Sequence, residues 1–131
     1  MSSNSLAAFA APGSVAESST LTLETASAVD AVLTALNDAD CQTILGAVAA
    51  DPLTASELAD RCDLATSTTY RKLEMLEAAQ LVEERVRLSP TGHHTNEYAR
   101  IAEDVVVHFD ADGVTVDLVL EGDRGPSARW R

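Results

Sequence analysis

The chain has 131 residues, with 21 Asp+Glu against 9 Lys+Arg, for a formal charge of −12. That length holds one domain with a real core, for which 46% hydrophobic residues supply the material, and it leaves no room for a second full domain. Such acidity argues against a general polyanion binder and against electrostatic docking on an anionic membrane. The basic residues are Arg except for Lys72, acids and Ala abound, and aromatics reach only 4%. This composition resembles that of halophile proteins, whose carboxylates keep a surface hydrated while molar salt screens their repulsion. The two cysteines, Cys41 and Cys62, lie far apart, no basic segment opens the chain, and no apolar run reaches the ~18 residues of a membrane span. The expectation is a cytoplasmic protein with reduced thiols and no membrane association.

In chain order, residues 1–24 are Ser/Ala-rich with Pro12 and Gly13 and read as a disordered arm. From Thr25, Val29, Val32, Leu33 and Leu36 fall at i, i+3, i+4, i+7 and predict an amphipathic helix of about three turns. Asn37-Asp38 interrupts it, and Cys41, Ile44, Leu45 and Val48 repeat the spacing in a second helix ending near Ala50. After Asp51-Pro52, Thr54-Ala55-Ser56-Glu57 has the form of a capping box, with Leu53 and Leu58 placed as a hydrophobic staple. A short helix therefore runs to about Cys62, breaks at Asp63-Leu64-Ala65, and is followed by another over residues 66–79 with Leu73 and Leu76 inward.

The period then changes. Residues 81–88 and 94–101 read as strands around the turn Ser89-Pro90-Thr91-Gly92. Val105, Val107 and Phe109 alternate into Asp110-Ala111-Asp112-Gly113, and Val114, Val116, Leu118 and Leu120 alternate out of it, so a second hairpin spans 103–120 and a patternless tail 121–131. The predicted fold is α+β. A helix, a capped short helix, a tight turn, a second helix and a hairpin follow the order of a winged helix-turn-helix over 25–102, with the C-terminal hairpin appended.

Ser56-Glu57-Leu58-Ala59, Leu64, Ser67-Thr68, Arg71, Leu73, Leu76 and Leu81-Val82 resemble the ArsR/MarR-like winged helix-turn-helix regulators, in particular the small haloarchaeal type. The resemblance spans about residues 37–101 and implies a sequence-specific regulator of transcription that binds double-stranded DNA as a homodimer. Short hydroxyl side chains at a helix N-terminus suit phosphate and base-edge contacts. Thr66, Ser67, Thr68, Tyr70 and Arg71 are therefore the predicted reading set, with Lys72 on a phosphate. Arg85, Arg87, His93, His94 and Arg100 on the wing form the second candidate surface, although Glu83, Glu84 and Glu97 lie among them.

Two departures from the family pattern stand out. Gln80 replaces the usual glycine after the second helix, and Ala65 stands where a Ser cap is usual, which moves the expected cap to Thr66. Metal-sensing members carry a Cys-x-Cys near the first helix of the pair, and only Cys62 lies there, so no metal or other cofactor is expected. The effector stays open. Cys41 lies on an apolar stripe and reads as an inert core thiol. No nucleophile–base set, phosphate-binding glycine loop or paired carboxylates suggests an enzyme. The expected dimer interface is the helix of Val29, Val32, Leu33 and Leu36, or else the terminal hairpin paired across the dimer. The reading from another class is a winged-helix module that binds protein within the transcription or chromosome machinery.

Overall fold

A computed structural model describes residues 19–121. The expected arm over 1–18 and the tail over 122–131 lie outside the described residues. The elements are β1 (Ser19–Leu23), α1 (Ala26–Leu36), α2 (Ala39–Ala47), β2 (Leu53–Thr54), α3 (Ala55–Cys62), α4 (Thr66–Ala78), β3 (Val82–Leu88), β4 (His94–Arg100), β5 (Ala102–Asp110) and β6 (Gly113–Leu120). This is a winged helix-turn-helix with a C-terminal hairpin, and that hairpin belongs to a second sheet.

The helices begin where short polar side chains take up free amides. Thr25 accepts from the Ala28 amide, and Asp38 accepts from that of Cys41. The capping box at α3 forms in both directions: Thr54 Oγ1 accepts from the Glu57 amide at 3.1 Å, and Glu57 Oε1 accepts from the Thr54 amide at 2.9 Å. Leu53 and Leu58 are both buried as a staple requires. Asp63 ends α3 at φ 57°, and Gln80 follows α4 at φ 63°, so the left-handed exit expected after α4 is made without glycine.

α4 departs from the expected cap. Its N-cap is Ala65, which has no side chain to offer, and Thr66 is already helical. Thr69, fully buried, returns its hydroxyl to the Ala65 carbonyl at 3.0 Å. That bond lies within the first turn and leaves the amides ahead of it without a side-chain acceptor.

The core gathers Val29, Val32 and Ala35 of α1, Cys41 and Ile44 of α2, Leu58 of α3, Leu73 and Leu76 of α4, and Val116 and Leu118 of β6. Cys41 is buried with its thiol directed at the Lys72 carbonyl, 3.8 Å away. Burial and the neighbouring Asp38 carboxylate push that thiol up to about 11, so it stays protonated and inert. The apolar stripe of α1 is narrower than the spacing predicts: Ala35 takes a fully buried position, while Leu33 is 38% exposed.

One sheet has the order β2-β4-β3 and the other β1-β6-β5. β1 corrects the expected arm, because residues 19–23 pair antiparallel with β6 from Ser19↔Leu120 to Leu23↔Val116. The hairpin of β5 and β6 closes at Asp110↔Gly113. Asp110 accepts from the Asp112 amide at 2.9 Å, and Gly113 supplies φ 121°, which a side chain would resist. The alternation predicted for this hairpin places Val116 and Leu118 in the core. Farther along the same face Phe109 is 81% exposed, because the strands reach past the elements that cover their base.

Candidate nucleic-acid interface

α3, the turn at residues 63–65 and α4 form the helix-turn-helix, with Thr69, Leu73 and Leu76 of α4 buried beneath it. Those buried positions leave an outward stripe of Ser67, Tyr70, Arg71 and Glu74, with Thr66 exposed at its head. Thr68, expected on the outward face with Arg71, is half-buried beside it. Tyr70 is half exposed, and Arg71 makes no ion pair among the described residues.

Lys72 does not sit where the spacing predicts. Its ammonium donates to Asp38 Oδ2 at 2.6 Å, and only 13% of its side chain is exposed. The same carboxylate caps α2, so this cation ties α4 to the helix beneath it rather than facing solvent. The Lys72 hydrogen bond, aided by that of the Cys41 amide, holds the Asp38 carboxyl below its ordinary value.

The wing cations are neutralised inside the domain. Arg87 on β3 donates to Glu97 of β4 at 2.8 Å and to Glu57 of the capping box at 3.1 Å, which fastens the wing to α3. Arg85 pairs with Glu83 at 2.9 Å and Arg100 with Glu121 at 2.6 Å. Of the predicted wing set, Arg85, His93 and His94 face solvent, while Arg87 and Arg100 are partly covered and bound. The third histidine, His108, lies in the other sheet against Asp117, apart from the wing pair.

Between α4 and the wing lies a cleft of about 380 Å³, whose lining includes Ser56, Tyr70, Glu84, His94, Asn96 and Tyr98. Glu84 Oε2 accepts from Asn96 at 2.6 Å and from the Tyr98 hydroxyl at 3.3 Å. Burial, and then the nearby Glu84 carboxylate, push the Tyr98 phenol up to about 12, so it remains a donor. Strand alternation could have placed Glu84, Asn96 and Tyr98 on one face, since Glu84↔Tyr98 and Val86↔Asn96 are register partners. That this face turns toward α4 is a tertiary fact. Glu77 of α4 lies near this group, and burial first, then Glu84 and Glu74, raises its carboxyl above the ordinary value.

The pKa shifts give a pH dependence. Asp38 and Glu57 are both depressed from ordinary values of 3.8 and 4.5, Glu57 chiefly by the Arg87 hydrogen bond. A carboxylate depressed by folding stabilises the fold fully above its unfolded value and ceases to do so as pH falls through its folded value. Stability is therefore expected to hold from neutrality to about pH 5 and to decline below that. Thermal melts across that range test this, and Glu57→Gln should shallow the decline.

Residues 31–85 match the family model of the helix-turn-helix domain. Among solved structures, a possible transcriptional regulator from Methanosarcina mazei Go1 superposes with a TM-score of 0.45 at 16% identity, over 63% of this chain and 76% of its own. No curated protein matches the chain. No helix among the described residues is long and apolar enough to cross a membrane.

Proposed function

We propose that the protein is a cytoplasmic, non-enzymatic transcriptional regulator of the ArsR/MarR-like kind that binds double-stranded DNA in a sequence-specific manner. The first half of α4, from Thr66 to Arg71, enters the major groove. The observation that carries this reading is the head of α4, which combines an N-cap without a side-chain acceptor, exposed Thr66, Ser67 and Tyr70, and an Arg71 without an ion pair among the described residues. Free first-turn amides and the positive end of the helix dipole favour a phosphate, while Arg71 is placed to address a guanine edge. Thr68, half-buried, supports the turn more than it reads.

The wing takes a smaller part than its composition suggests. Arg85, held only by the exposed Glu83, faces the flanking backbone with His93 and His94, whereas Lys72, Arg87 and Arg100 position the reading elements through their carboxylate partners. The second reading, a module that binds protein, draws on the wing itself, where Val86 and Leu88 are exposed among neutralised charges.

Selection from a random duplex pool in molar KCl distinguishes the two. A DNA reader enriches one discrete motif, and its occupancy across the genome centres on that motif. Recovery of no motif from the pool would refute sequence reading and leave the protein-binding module.

A further inference from the structure

The two edges of the β1-β6-β5 sheet are unequal. β1 offers five residues, while β5 offers nine, and residues 104–109 have no backbone hydrogen bonds other than those to β6 among the described residues. An open strand edge is a row of unsatisfied N–H and C=O groups, and long edges are commonly blunted by Lys, Pro or bulges. β5 has one irregularity at its start, between Ala102 and Asp104, and then runs Val105-Val106-Val107-His108-Phe109 without a Lys, Arg, Pro or Gly. Val106 and Val107 are 42% and 41% exposed. Phe109 and Val114 are register partners, as are Val107 and Val116, so the buried face continues into an open apolar surface toward the hairpin tip.

We propose that β5 pairs antiparallel with β5 of a second copy of this chain, fusing two three-stranded sheets into one six-stranded sheet across a two-fold axis. The strand is self-complementary about Val106. An axis there sets Val106 against its own mate, Val105 against Val107, and Asp104 against His108, each of the last two pairs occurring twice. Moving the axis to Val107 sets Asp104 against Asp110, and moving it to Val105 sets Asp104 against Val106. Like charges across antiparallel strands destabilise, which disfavours the axis at Val107, and the axis at Val105 leaves Asp104 opposite an apolar side chain, so the register at Val106 is preferred. Glu103, Asp104, Asp110, Asp112 and Asp117 surround these valines with no Lys or Arg in β5 or β6, so the pairing calls for the screening that molar salt supplies.

The proposal rests on the DNA-reading function only in that a two-fold dimer presents two α4 helices, and it is tested without DNA. Sedimentation of the full chain in molar KCl is expected to show a dimer. Val106→Lys, at a partly exposed position outside the core, should give a monomer with an unchanged circular dichroism spectrum. In a Cys62→Ser background, Val106→Cys should form a covalent dimer with copper–phenanthroline as oxidant, whereas Val114→Cys, a strand farther from the axis, should not. The cross-link decides the matter if Val106→Lys fails to fold. A monomeric wild type, a Val106→Lys dimer, or equal cross-linking at 114 would each overturn the pairing. Loss of DNA binding by a wild type that remains dimeric would strike the proposed function alone.

Discussion

Arg71→Ala is expected to lower affinity for the selected DNA site by about 10- to 100-fold, the loss of roughly 1–3 kcal/mol that one bidentate base contact supplies. Arg71 is the one cation on the outward stripe of α4, and no carboxylate among the described residues engages it. Its removal therefore strands no partner, and the melting temperature should move little, as for other exposed positions. Lys72→Ala is the contrasting control. It leaves the capping carboxylate of Asp38 without the ammonium 2.6 Å away, which should cost about 1–3 kcal/mol of stability. Affinity for DNA, measured well below the melting transition, should change little. Two adjacent basic residues thus separate into one that reads and one that braces. Electrophoretic shift and thermal melts on the two variants check both halves. Wild-type affinity in Arg71→Ala would refute the placement of α4 in the groove.

Local chemistry was legible in the chain, and distant pairing was not. The capping box at Thr54 and Glu57 joins residues three apart, and the two-residue turn at Asp110↔Gly113 announces itself by Asp and Gly. Gln80 stands where the family pattern has glycine, which marked the helix exit but left open whether a non-glycine residue would take the left-handed conformation it adopts. β1 escaped although Thr20-Leu21-Thr22-Leu23 alternates, because the run is short, lies in a Ser/Ala-rich segment, and has a partner that begins more than ninety residues later in the chain. So short an alternation marks a possible strand but not the distant partner that fixes it. The same reason governs the cations. Lys72 finds Asp38, and Arg87 finds Glu57, across more than thirty and exactly thirty positions respectively. Spacing therefore identified a basic surface but could not say which side chains remain free on it. The open tip of the second hairpin was equally hidden: alternation gives Phe109 the same face as Leu118, but only the fold shows where the helical cover stops.

Affinity for DNA is expected to depend weakly on salt, or to rise with it, and the pairing of charges explains why. Residues 61–100 contain six basic and six acidic side chains, whereas residues 1–60 contain eight acids and no base. Within 61–100, Lys72, Arg85, Arg87 and Arg100 each bind a carboxylate, and Arg61 and Arg71 make no ion pair among the described residues. With Arg71 on a base edge, the exposed Arg61 and Arg85 are the cations left for phosphates, and two such contacts would release few counterions, giving a slope of log affinity against log salt no steeper than about −2 per chain. Against this stands the repulsion between the acidic body and the duplex, which weakens as the Debye length contracts to about 3 Å near 1 M. The two effects oppose each other. A basic binder with many phosphate contacts instead loses roughly a thousandfold or more on a fourfold rise in salt. Titrations of one labelled duplex across KCl concentrations separate these cases. A steep fall would mean that more than Arg61 and Arg85 neutralise phosphate, and that the ion pairs of Arg87 and Arg100 open on binding. Arg87→Ala would then reduce the slope as well as the stability, whereas with the pairs intact it should affect stability alone.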